Sequence, residues 1–210
     1  GSLCSECDGK ERVIRLPLSK RWQHKPWLAC PFLFFYDRMK PINLNLREEA
    51  YEKLILLSGS PCVGKTTVGK YLFEHYDNSA YLDGDWCWCV NPFSVKDKRL
   101  RNGDKSMSFV LSNYLTSGFD YVFFASVVLT DNKIRENILK DITATDYEVI
   151  GFTLTCSEET LIKRHSKRGD QGNTNFHWLH LPPYPTDIVI NTDNKPVQRI
   201  AQELNRHIKR

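Results

Sequence analysis

Apolar and polar positions from residue 54 onward switch between two periods. Leu54-Ile55-Leu56-Leu57 is an apolar run ending at Ser58-Gly59, which predicts a buried strand. Residues 65–76 carry Val68, Tyr71 and Leu72 at helical spacing. Tyr81-Leu82 predicts a second strand, cut off by Asp83-Gly84-Asp85. A helix over 105–117 leads to a third strand, Tyr121-Val122-Phe123-Phe124-Ala125. Helix, strand and helix follow at about 131–142, 147–154 and 158–168. Residues 169–186 hold Gly169, Gly172, Pro182, Pro183 and Pro185, which predicts a long loop. Ile188-Val189-Ile190 is a last strand, and 196–209 a closing helix with Pro196 suited to its first turn. Five strands separated by helices imply an α/β fold with a parallel sheet covered on both faces.

Residues 1–50 break this pattern. The first two, Gly-Ser, read as a cloning scar. Trp22, Trp27 and the run Phe32-Leu33-Phe34-Phe35-Tyr36 lie among prolines 17, 26, 31 and 41, with poor periodicity. An N-terminal extension packed on a domain over 51–210 is expected. The net charge of +4 comes from here: residues 1–45 hold eight Lys/Arg against four Asp/Glu, and the rest is balanced. No apolar run approaches the ~18 residues a membrane span needs, and no signal peptide is visible. Seven scattered cysteines make an odd count without paired spacing, so reduced thiols and a cytosolic address are expected.

The chemistry begins at Gly59-Ser60-Pro61-Cys62-Val63-Gly64-Lys65-Thr66, which fits G-x-x-x-x-G-K-[ST] at every position. The glycines let the loop bend back, so that successive amides point at phosphate oxygens. A helix opening at Lys65 adds its free amides and dipole. The segment from Gly59 to Thr67 is therefore expected to bind the triphosphate of ATP. The Lys65 ammonium should reach the β- and γ-phosphates, and the Thr66 hydroxyl should ligate Mg²⁺.

Other motifs narrow the class. Asn132-Lys133-Ile134-Arg135 and Asn194-Lys195-Pro196-Val197 both lack the final Asp by which GTPases read guanine. Motor and AAA-type ATPases carry acids at the end of an apolar strand, whereas strand 121–125 ends in Ala125-Ser126 and its acid, Asp120, lies at the other end. The acids come instead after strand two, at Asp83 and Asp85. In extended chain, positions two apart point the same way, so both carboxylates would face the loop at the carboxyl ends of the strands. One would hold magnesium through water, and the other would accept a proton from an attacking hydroxyl or orient it.

Ser58 to Thr67, Asp83 to Asp85 and the late basic helix together resemble the small P-loop kinases: shikimate and gluconate kinases, nucleotide kinases, chloramphenicol phosphotransferase and the tunicamycin-resistance group. Leu82-Asp83-Gly84-Asp85-Trp86 is most similar to gluconate kinase and bacterial nucleotide-kinase-like proteins. The resemblance covers about 53–209. It implies a three-layer P-loop NTPase fold with a five-stranded parallel sheet and a lid. It also implies phosphate and metal binding by Lys65 and Thr66, a place for Asp83 close to the metal, and activation of the acceptor hydroxyl by Asp85.

A lid in these kinases brings arginines onto the transferring phosphoryl group, which Arg164 and Arg168, four apart on one helix face, would do here. Cations also favour helix C-termini, so a solvent-facing run is the plainer reading. The lid is expected at about 164–186, where Phe176, His177, Trp178 and His180 would cover substrate or simply pack. The acceptor is expected at about 86–104, among Trp86, Trp88, Asn91, Phe93, Lys98, Arg99 and Arg101. Cys87 and Cys89 read as packing residues. The base of ATP would lie between the lid and Asn191-Thr192-Asp193-Asn194. Cys4, Cys7, His24 and Cys30 are a loose zinc candidate set. The expected function is an ATP- and Mg²⁺-dependent phosphotransferase acting on a nucleotide or hydroxyl-bearing metabolite. The alternatives are an antibiotic-modifying phosphotransferase or a polynucleotide-kinase-like module; a nucleic-acid partner is not favoured and no membrane is expected.

Overall fold

The computed structural model describes residues 51–94, 97–169 and 176–209. The N-terminal extension, the candidate zinc ligands Cys4, Cys7, His24 and Cys30, and lid residues 170–175 lie outside them.

Five strands form one sheet: β1 (Glu52–Gly59), β2 (Ser79–Asp83), β3 (Tyr121–Ala125), β4 (Tyr147–Thr155) and β5 (Ile188–Asn191). Their order is β2-β3-β1-β4-β5, and every neighbouring pair is parallel. The helices are α1 (Lys65–His75), α2 (Arg101–Thr116), α3 (Asn132–Lys140), α4 (Glu158–Arg168), the one-turn α5 (His177–His180) and α6 (Val197–Ile208). β1 sits at the centre, which explains why its sequence is continuously apolar rather than alternating. Ile55 and Leu57 point to one face, against Val68 and Leu72 of α1 and Ile200 and Leu204 of α6. Leu54 and Leu56 point to the other, against Met107 and Leu111 of α2 and Ile138 of α3. The α/β, five-stranded parallel expectation holds in full.

The differences are local. Asp83-Gly84-Asp85 is not extended: Asp83 ends β2 and caps a 3₁₀ turn over Gly84–Trp88. Further 3₁₀ turns over Lys98–Leu100 and Val127–Thr130, and α5, stand where no regular element was expected. Short 3₁₀ turns carry too few residues for a hydrophobic period to register. Pro196 caps α6 from outside rather than entering its first turn.

One buried polar cluster locks the β5 edge. Arg135 of α3 makes an ion pair with Asp187 at 2.8 Å, and both side chains are essentially solvent-free. Asp187 Oδ2 also accepts from Thr153 at 2.7 Å and Ser58 at 3.3 Å. The Arg135 guanidinium lies 4.0 Å over the Tyr184 ring. All of this sits on Gly151, where a Cβ would collide with the Asp187 carboxylate.

Candidate active site

The G-x-x-x-x-G-K-T segment turns tightly between β1 and α1. Gly59 has φ of 131°, and a Cβ there would collide with the Leu154 carbonyl, so glycine is required. Gly64 has φ of 110° and opens α1. Cys62 adopts φ of 63°, a left-handed conformation uncommon for a side-chain-bearing residue and met at functional loops.

Lys65 turns back across the loop and donates to the Ser60 carbonyl at 2.8 Å. Burial lowers its pKa to about 8, against the opposing pull of Asp85 and Asp83. Thr66 Oγ1 donates to Asp83 Oδ2 at 2.8 Å. Tyr81, buried in β2, donates its hydroxyl to the same oxygen at 3.0 Å. Burial and the adjacent Asp83 hold this phenol far above its ordinary range, so it remains a donor. Asp83 Oδ1 accepts from the Asp85 amide at 3.1 Å. Asp85 itself is exposed.

The lid arginines divide. Arg164 spends its guanidinium on the loop: Nη1 donates to the Val63 carbonyl at 3.0 Å and to Thr192 Oγ1 at 3.0 Å, and Nη2 to the Thr192 carbonyl at 2.9 Å. Arg168 is exposed and reaches Cys62 Sγ at 3.7 Å. Thr192, fully buried, also donates to the Val63 carbonyl at 3.1 Å. Asp193 accepts from the Ser157 amide at 2.9 Å, and hydrogen bonds from Thr160 and from Ser157 lower its pKa. The loop after β5 is thereby pinned to the start of α4.

A cavity of about 550 Å³ gathers these groups. Its walls include the loop from Pro61 to Thr67, Asp83 and Asp85, Arg164 and Arg168, and Lys195 with Val197 on the α6 side. Within the loop, Gly59 and Ser60 are set back from it, against a separate cavity of about 110 Å³ with Thr130, Thr153, Trp178 and Tyr184. A hydroxyl and a carboxylate side by side are hard oxygen donors of the kind magnesium takes together with substrate phosphates and waters. Thr66 and Asp83 meet that requirement. Among the described residues no cluster of three or more His, Cys, Asp or Glu gathers, so an all-protein metal cage is not formed there.

The expected acceptor segment separates on inspection. Trp88 is half-buried against Gly103 of α2, where a Cβ would collide with its indole, so it is a packing residue. Trp86 is exposed and meets Tyr81 edge-on at 5.6 Å. Arg99 pairs with Asp97 at 2.6 Å. Cys87 packs against the core as expected, but Cys89 is exposed. Phe176 and Leu179 pack on the core, Trp178 faces the smaller cavity, and none of the three lines the larger one. Sequence reasoning missed Tyr81 as a part of the site, and it placed Thr192 beside the base without foreseeing that it ties Arg164 to the phosphate loop. Tyr81, two residues before Asp83 on the same strand face, was open to discovery by the same period-2 argument; Thr192 carries no such signal.

A family model described as an AAA domain matches residues 55–176, more than half of the chain. The chain belongs to this AAA-domain family. β3 ends without the acid expected of AAA-type ATPases; Asp83 of β2 is the register partner of Ala125, so its carboxylate lies one strand over at the same level. No curated protein matches this AAA-domain chain in sequence. Solved structures with the same fold include a tunicamycin resistance protein of Deinococcus radiodurans, with 16% identity, TM-score 0.58, and coverage of 75% of this chain and 95% of that one. They include APS kinase of Mycobacterium tuberculosis in complex with AMPPNP and APS, with 13% identity, TM-score 0.56, and coverage of 76% and 99%. A gluconokinase of Sinorhizobium meliloti 1021 has 14% identity, TM-score 0.53, and coverage of 74% and 90%. The resemblance to small P-loop kinases is thus borne out at the level of fold.

Proposed function

We propose that the protein is a magnesium- and ATP-dependent phosphotransferase acting on a small hydroxyl-bearing acceptor. The observation that carries this is the single cavity shared by Lys65, Thr66, Asp83, Asp85 and Arg168. Such a set supplies what phosphoryl transfer needs: positioning and charge stabilisation rather than covalent chemistry.

In this reading the backbone amides from Cys62 to Thr67, which include the start of α1, hold the phosphate tail. Lys65 leaves the Ser60 carbonyl for the β- and γ-phosphates. Thr66 and Asp83 hold magnesium, which when bound neutralises charge on the β- and γ-oxygens. Asp85, exposed at the cavity wall, accepts the proton of the acceptor hydroxyl or orients it. Arg168 covers the equatorial oxygens of the migrating group. Arg164, committed to the loop carbonyls, braces the loop rather than meeting phosphate. The base lies toward Lys195, Val197 and the loop after β5.

The domain comprises residues 51–210, with the acceptor segment at 86–104 and the lid at 164–186. A cytosolic address belongs to the same reading: among the described residues Cys62, Cys87, Cys89 and Cys156 form no disulfide. No helix among the described residues is long and apolar enough to cross a membrane.

The test is acceptor-dependent ADP formation. The full chain, with MgATP, is screened against nucleotides and metabolites, with gluconate, APS and tunicamycin included because the structural neighbours carry those names and shikimate because the sequence resembles shikimate kinases. A rate rise with one acceptor supports the proposal. Binding of ATP with no transfer to any acceptor favours the nucleotide-binding module instead.

A further inference from the structure

Asp83 is held by three donors that belong to three different parts of the molecule. Thr66 belongs to the first turn of α1 after the phosphate loop, and the Asp85 amide to the 3₁₀ turn. Tyr81 belongs to β2 of the sheet, and the residue is only 6% exposed. Its ring lies so close to Gly69 of α1 that a Cβ there would come within 2.7 Å of it. Trp86, edge-on at 5.6 Å, closes on the ring from the acceptor segment. Among the hydrogen bonds that reach the carboxylate, the one from Tyr81 is thus the most tightly anchored.

A carboxylate offers about four acceptor positions. Three donors use three of them, which sets the plane of the group and leaves capacity toward the cavity. Thr66 and Tyr81 both donate to Oδ2, so Oδ2 is drawn to the loop side and Oδ1 to the turn. Without the phenol, Thr66 alone would hold Oδ2, and Thr66 is exposed.

We propose that Tyr81 is a positioning residue: its hydroxyl holds the Asp83 carboxylate beside Thr66 and thereby sets how tightly magnesium is retained with the nucleotide. The proposal rests on the reading of the cavity as a magnesium–nucleotide site. Tyr81 touches neither ligand. It acts through Asp83, as outer-shell partners of metal-ligating carboxylates do.

The test is calorimetric and needs no turnover. AMPPNP is titrated into the full chain with and without Mg²⁺, and Mg²⁺ is then titrated into the AMPPNP-saturated protein. Tyr81→Phe keeps the ring and removes the hydroxyl. Tyr76→Phe is the matched control: its hydroxyl donates to Asn205 at 2.8 Å, away from the cavity, so it loses a comparable bond. The expected result is a loss of about tenfold or more in Mg²⁺ affinity for Tyr81→Phe, with metal-free nucleotide affinity unchanged and Tyr76→Phe like wild type. Wild-type Mg²⁺ affinity in Tyr81→Phe, or equal weakening in Tyr76→Phe, overturns the role of Tyr81. Wild-type protein that binds AMPPNP with no magnesium effect, or does not bind it, overturns the site reading as well.

Discussion

At the scale of single residues, Lys65 is the most exposed to test. Its ammonium now rests on the Ser60 carbonyl at 2.8 Å and has a pKa lowered to about 8 by burial. A bound triphosphate favours the charged form and raises that value. The affinity is therefore fully present below about 8. Above it, the free protein must take up a proton to bind, and ATP affinity falls by up to about tenfold per pH unit. Titrations in buffers of different ionisation enthalpy at pH 8.5 should record proton uptake; an affinity flat from pH 7 to 9 would contradict this. Lys65→Ala removes a charge-assisted contact of about 1.5–3 kcal/mol, so nucleotide affinity should drop by one to two orders of magnitude or turnover should cease. Asp85→Asn should slow transfer while ATP binding persists, since Asp85 stands at the cavity wall and bears on the loop only through its charge on Lys65. A wild-type rate in that variant would remove Asp85 from the chemistry.

Elements show why these residues meet. β2 ends at Asp83, and the following turn can tighten only because Gly84 has no side chain: a Cβ there would collide with Ser126 at the end of β3. Gly84→Ala forces that contact apart. It should cost about 1–3 kcal/mol, the range for overpacking, and lower the transfer rate by displacing Asp85. Urea denaturation with parallel rate measurements checks both, and an unchanged midpoint would show that Ser126 yields freely. The sequence pattern placed β3 at its observed bounds because its apolar run stops at Ser126, and α4 likewise because it is periodic and capped: Ser157 accepts from the Thr160 amide at 3.2 Å, and Gly169 ends α4 with φ of 83°. It did not foresee that Asp83-Gly84-Asp85 turns rather than extends. Yet both carboxylates still line one cavity, because the Asp85 amide folds back onto Asp83. The functional inference survived while its geometric reason was replaced.

For the molecule as a whole, the Arg135–Asp187 pair joins α3 to the start of β5 across 52 residues. Removing one partner leaves a buried, unmatched charge. Arg135→Met should therefore destabilise by about 3–5 kcal/mol, read as a melting temperature lower by roughly 6–20 °C. A shift within error would mean that the edge is held by packing alone. The pair also fixes Tyr184, a wall of the smaller cavity behind Ser60, whose hydroxyl is buried without a hydrogen-bond partner.

The amino-acid order alone determined the alternation of strands and helices, the phosphate loop and the acids after the second strand. These are local signals: a two- or 3.6-residue period and a contiguous motif are complete within one segment. Only the tertiary structure decided that Arg164 braces the loop, that Trp88 packs while Trp86 stays exposed, that Tyr81 anchors Asp83 through a ring wedged on α1, and that Arg135 finds Asp187. In each case what a side chain does depends on which distant backbone the sheet order brings beside it, and that choice belongs to the packing of the entire chain.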